Sequence, residues 1–216
     1  MKRLEKILKY GGLFLLLLIT VYILFLRSYL MHWGSTNAER NKFYPGDSIV
    51  AVPETITTIA ITINKPPSAI WAWIVQMGLN KGGFYSYTWL ENMFGCKLHN
   101  ADAIHVEWQN TKEGDIEPVC DAALKKQMPG WTVATLIPYK AFVYKITIDS
   151  SWTMGYYIDS LSASRSRLIT RMRYNSRETF WGEIVEKVWM EWAHCVMQRG
   201  SIKGIKKRAE KNRNQR

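Results

Sequence analysis

From Gly11 to Leu26 the chain reads GGLFLLLLITVYILFL, an apolar run without a charged residue. Before it, residues 1–10 carry Lys2, Arg3, Lys6 and Lys9 against the single acid Glu5, and Arg27 closes the run behind. Joined to Tyr29, Leu30 and Met31, the stretch approaches the roughly 20 residues that cross a bilayer as a helix. A helix that is apolar on every face and fenced by basic residues does not belong to a soluble core. Residues 1–10 are therefore expected as a basic flank and 11–31 as a transmembrane anchor. The competing assignment is a cleaved signal peptide. Its apolar region would be long, and no small-x-small cleavage pattern precedes His32, so an uncleaved anchor is favoured. The basic flank predicts a single-pass protein with a cytoplasmic N-terminus and the domain outside, a bias that Arg27, Arg40 and Lys42 weaken.

The 216 residues suffice for one domain with a core plus that appendage. The net charge of +11 points to an anionic neighbour such as a membrane surface. Because the basic residues gather at the two ends instead of interleaving with aromatics, no nucleic-acid partner is expected. Cys96, Cys120 and Cys195 show no CxxC spacing and read as ordinary structural thiols.

Residues 32–47 form a polar connector with turn residues at Gly34, Asn37, Pro45 and Gly46. A domain spanning 48–210 follows, with a basic tail at 211–216. Thr58–Ile63 alternates, with Ile59, Ile61 and Ile63 on one face, and predicts a strand. Pro66 and Pro67 then start a helix over 68–77, with Ile70, Trp71, Ile74 and Val75 as its apolar stripe. Trp131–Ile137, Phe142–Ile148, Trp152–Ile158 and Arg167–Tyr174 are strand-like runs separated by short turns, which favours hairpins over crossovers. From Thr179 onward the period becomes helical, with Trp181, Val185, Val188, Trp189, Trp192 and Val196 on one face. The expected class is α+β.

Between them lies Gly82–Gln109, where Phe84, Tyr85, Tyr87 and Trp89 accompany Glu91, Asn92, His99, Asn100, Asp102, Glu107 and Gln109. Aromatics that avoid water, mixed with polar groups that need partners, suit a cavity wall better than a plain core element.

The succession ITINKPPSAIWAWIVQMG, GGFYSYTWLENMFG, HNAD, EWQ and the EGD at Glu113–Asp115 resembles a branch of the START-like, polyketide cyclase/dehydrase-related superfamily without an assigned activity. The resemblance implies a helix-grip fold. In that fold a curved antiparallel sheet wraps a long C-terminal helix and leaves a hydrophobic cavity for lipids, polyketides or other apolar molecules. It implies no particular chemistry and no cofactor.

The residues expected to line that cavity or its mouth are Trp71, Phe84, Tyr85, Tyr87, Trp89, Tyr144, Trp152, Tyr156, Val185, Trp189 and Trp192. For each of them, plain core packing is the alternative. Glu91, Asp102 and Glu107 are the acid–base candidates, because a carboxyl desolvated by aromatics has a raised pKa. His99, Asp102, His105 and Glu107 match no metal-ligand spacing, so no metal is expected. Cys96 with His99, or Cys195 with His194, are weak nucleophile pairs. Arg171 and Arg173 share a strand face that either holds a ligand anion or is simply solvated. The chain reads as a membrane-anchored binder of a hydrophobic small molecule or lipid. An enzyme on a hydrophobic substrate and an interaction protein with a filled core are the alternatives.

Overall fold

The computed structural model describes residues 2–93, 95–118, 130–148, 150–175, 187 and 191–211. The chain opens with helix α1 (Lys2–Val21), a π-helical turn (Tyr22–Leu26) and helix α2 (Arg27–Met31), which together form one continuous rod. The span Arg3–Met31 is 29 residues long, and none of its most apolar window is buried against the rest of the chain. It is long and apolar enough to cross a membrane.

The domain is a six-stranded antiparallel sheet in the order β1-β6-β5-β4-β3-β2. Its strands are β1 (Thr55–Ile63), β2 (Ile116–Glu117), β3 (Trp131–Ile137), β4 (Ala141–Ile146), β5 (Trp152–Ser162) and β6 (Arg165–Tyr174). The first strand pairs with the last, Ile59 opposite Thr170. Tight hairpins join β3 to β4 and β5 to β6, as the short turns predict. Around the sheet lie α3 (Asn37–Asn41), α4 (Pro67–Val75), α5 (Thr88–Met93), a 3-10 turn (Val106–Trp108) and the long α6 (Glu191–Glu210). Extended Pro66 and Pro67 start α4, since proline is pre-set for a first helical turn.

Both faces of the sheet are covered, so successive residues in a strand enter different cores. On the inner face Phe142, Tyr144, Tyr156, Ile158 and Leu168 pack with α4 residues Ile70 and Ile74 and α6 residues Ile202 and Ile205. On the outer face Ala60, Ala141, Val143, Tyr157 and Ile169 pack with Tyr44, whose ring stacks on Tyr157 at 4.3 Å. Sheet, inner helices and the α6 they grip make the α+β helix-grip arrangement that the sequence resemblance implies.

The outer layer is supplied by the polar connector. Arg171, expected to hold a ligand anion or face solvent, is instead buried, and all five of its N–H donors are used. Nε donates to Thr58 Oγ1 (3.1 Å), and Nη1 donates to Asp47 Oδ2 (2.8 Å) and the Lys42 carbonyl (2.9 Å). Nη2 donates to the carbonyls of Glu39 (2.9 Å) and Arg40 (2.6 Å). Arg173 donates to the Val50 carbonyl, and Arg167 to Glu39 and Gly34. A Thr36–Glu39 capping box starts α3, the element these arginines hold. The Arg171–Arg173 face thus binds the chain's own connector, because carbonyls at turn and helix ends need donors.

Candidate functional site

Between the inner face of the sheet and α6 lies a cavity of about 130 Å³. Among the described residues, Trp131 of β3, Met154 and Tyr156 of β5 and Met172 of β6 form its sheet wall. His194, Met197, Gln198 and Ser201 form its α6 wall, and Phe84, Ser86, Glu91, Cys96 and Leu98 close the third side. The α6 residues recur at steps of three and four, which places them on one helical face. The Gln198 side chain fastens this helix to the sheet at both ends: Thr57 Oγ1 donates to Gln198 Oε1 (2.8 Å), and Gln198 Nε2 donates to Thr170 Oγ1 (3.1 Å). Ser86 Oγ, donating to the Met197 carbonyl (2.9 Å), ties the third wall to the same helix. That contact is close because Gly200 and Gly204 present no side chain, and a Cβ at Gly204 would collide with the Tyr85 carbonyl.

The lining is apolar except where it is chemically most pointed. Glu91, on the inward side of α5, is 7% exposed, and its Oε2 has no hydrogen-bond partner among the described residues. Burial alone raises its carboxyl from the ordinary 4.5 to about 7, since desolvation disfavours the charged form. The Nδ1 of His194 is likewise sealed and unpartnered, and burial lowers this imidazole from 6.5 to about 4. Its ring meets Trp152 edge-on at 4.7 Å. The hydroxyls of Tyr156 and Ser201 pair at 3.1 Å, and burial with that partner leaves the phenol raised to about 12. At neutral pH the cavity therefore offers a partly protonated carboxyl, a neutral imidazole and a hydroxyl pair within an apolar shell.

Of the residues expected to line a cavity or to act as acid or base, Phe84, Tyr156 and Glu91 line this one, as do Cys96 and His194 from the weak nucleophile pairs. Trp152 stands behind it, edge-on to Trp131 and His194. Trp71 packs on Phe142 and Tyr139 in the core instead. Tyr144 is fully buried, its hydroxyl donating to the Met77 carbonyl. Tyr85 is also buried, in a left-handed backbone conformation, and accepts a hydrogen bond from Gln76 Nε2 at 2.9 Å. Tyr87, Trp89 and Trp192 are exposed, Trp89 at 64%, because their side of the chain turns to solvent. Val185 and Trp189 lie outside the described residues.

Asp102 is an exposed partner of Arg208 (3.0 Å), and Glu107 is an exposed partner of His105 (3.2 Å). Both carboxylates lie in water and not in an apolar shell. Among the described residues no group of His, Cys, Asp and Glu could hold a metal ion.

The thiol pairs dissolve as well. Cys96 is disulfide-bonded, contrary to the expectation of three thiols. Cys195 is buried, and its thiol is pushed up to about 12, so it is a poor nucleophile at neutral pH. Met197, Gln198 and Ser201 were not anticipated, and His194 was expected only as a weak partner of Cys195, not as part of the cavity wall. Their i, i+3, i+4, i+7 spacing was visible, but the apolar Trp and Val stripe drew the helical face elsewhere.

No family model and no curated protein matches the sequence. Solved structures to which the chain is similar include the KanY protein, at 12% identity and a TM-score of 0.47, covering 72% of this chain and 97% of that one. A polyketide cyclase-like protein from Corynebacterium glutamicum shows 13% identity and a TM-score of 0.42, covering 70% and 88%. The Aha1 dimer from Colwellia psychrerythraea shows 10% identity and a TM-score of 0.35, covering 68% and 97%. The helix-grip fold stands on this chain's own strand order and register.

Proposed function

We propose that the protein is a membrane-anchored binding protein for an apolar or amphipathic, lipid-like small molecule. The ligand sits between the sheet and α6. The observation that carries this reading is Glu91, a buried carboxyl oxygen without a partner among the described residues, at the wall of a mainly apolar cavity. A buried polar group costs stability unless something bonds to it. A ligand with an apolar body and one hydrogen-bonding group meets both demands. About 130 Å³ holds a single ring or a short alkyl segment, to judge by the roughly 150 Å³ cavity that accepts benzene. The enclosed part thus receives either a small molecule or one end of a larger one.

The orientation favoured by the basic flank puts the N-terminus in the cytoplasm and the domain outside. The disulfide at Cys96 supports it, because disulfides persist in oxidising compartments.

A second reading is favoured by the same carboxyl. An acid raised to about 7 that shares a cavity with a neutral imidazole is suited to proton transfer on a hydrophobic substrate. The filled-core interaction protein is disfavoured by the cavity itself. The test is ligand capture by the full-length protein, compared with a Met154→Trp variant whose indole occupies the cavity.

A further inference from the structure

We propose that the N-terminal helix stays in the mature protein and is fixed to α6 through Arg27 and Glu191, so that the cavity helix is held against the end of the anchor. The proposal rests on reading that helix as a membrane span. Glu191, the first residue of α6, is fully buried. Both its carboxylate oxygens are taken by one guanidinium, with Arg27 Nε donating to Oε1 at 2.7 Å and Nη2 to Oε2 at 2.8 Å. This two-point fork is the geometry for which arginine is suited. The π-helical turn Tyr22–Leu26 ends at the residue before Arg27 and so sets its direction on the rod.

Beyond Arg27 the chain tracks α6. Met31 is buried, and Trp33 lies under the guanidinium of Arg199 at 4.4 Å and the ammonium of Lys203 at 5.6 Å. Contacts of residues 27–33 therefore run from Glu191 to Lys203, alongside the face that bears His194, Met197, Gln198 and Ser201. His194 is one helical turn from Glu191, a rise of about 4.5 Å. Removal of this helix as a leader peptide would strip Glu191 of both the cation and the cover that Arg27 and Tyr22 supply.

The test uses the full-length protein in phosphatidylcholine vesicles. Its first readout is the intact mass after expression in membranes, and the second is the rate at which Cys195 reacts with N-ethylmaleimide. Cys195 is a buried free thiol one turn along α6 from Glu191. The expected mass retains the N-terminal helix, and the expected wild-type thiol is protected. Arg27→Gln exposes Cys195 and speeds labelling at least tenfold. Adding Glu191→Gln removes the buried charge and returns the rate to within about threefold of wild type. Loss of the single variant during expression, with recovery of the double variant, is the same result. A mature chain beginning after Met31 overturns the proposal, as do unchanged labelling in Arg27→Gln, no recovery in the double variant, or failure of both variants to accumulate. Neither readout needs a ligand, so the pair can fail while the binding reading stands, and an empty cavity would leave the pair untouched.

Discussion

Arg171 and Asp47 form a 2.8 Å ion pair on the outer face of the sheet, with both side chains almost completely removed from water. The pair joins β6 to a connector that is distant in sequence, and each partner is held further by backbone groups. The Tyr44 N–H donates to the same Asp47 oxygen at 3.0 Å, and the Arg171 guanidinium lies 4.6 Å from the Tyr44 ring centroid.

Replacing Arg171 by Met removes five donors and, among the described residues, leaves buried Asp47 with the more distant Arg173, at 3.8 Å, as its cation. Breaking one side of a buried pair costs about 3–5 kcal/mol. Arg171→Met is expected to lower the urea midpoint accordingly, and Arg171→Lys to recover only a small part, because an ammonium cannot fill five positions. Equilibrium denaturation in detergent micelles, with intrinsic fluorescence as the signal, measures both.

Glu91 makes stability fall as pH rises. Below about 4.5 the carboxyl is protonated in both states; between 4.5 and about 7 the unfolded chain ionises while the folded one keeps its proton. The folded state loses ground across that window and carries the full cost above it, about 3 kcal/mol at most. Glu91→Gln is expected to match wild type near pH 4 and to exceed it at pH 8. Denaturation midpoints at the two pH values give the comparison, and a constant difference between the proteins would refute the assignment.

His194 acts in the opposite direction. Its folded pKa of about 4 lies below the ordinary 6.5, so protonation favours the unfolded chain. Stability is complete above about 6.5 and is lost as pH falls towards 4, by about 3 kcal/mol at most. Because this window overlaps that of Glu91, the two contributions offset one another in the wild type, and His194→Gln is expected to remove the acid loss and uncover the opposing Glu91 slope. A pH series of thermal midpoints separates the two.

Much of the fold was legible in the sequence, because local patterns dictate it. Trp131–Ile137 is found as read, and Arg167–Tyr174 gains only its first two residues, since alternation and turn residues fix a strand without distant information. Thr55–Ile63 extends three residues before the alternating stretch, because Thr55 and Thr57 owe their burial to β6 and α6, not to an apolar pattern. The outer layer was invisible for a related reason. Nothing in WGSTNAERNKFYPGD shows that its carbonyls will meet the guanidinium of Arg171 more than a hundred residues later.

For the site, the mixture of aromatics and acids in 82–109 pointed to Phe84 and Glu91, but not to which aromatics turn outward. Trp89 and Glu91 are two positions apart on α5, which sends one to solvent and the other to the cavity. The α6 wall is not legible in the sequence because His194, Gln198 and Ser201 are polar, while the Trp and Val stripe marks a different face of the helix.

The central claim is that the cavity holds a small apolar molecule whose polar group meets Glu91. It is tested most directly by native mass spectrometry of the full-length protein released from detergent micelles, for wild type and Met154→Trp. A reproducible added mass on wild type, absent from the folded Met154→Trp variant and weakened at least tenfold by Glu91→Ala, is the predicted result. Wild-type protein that carries no added mass, and takes none up from a mixture of short-chain lipids and aromatic polyketides, would contradict the account.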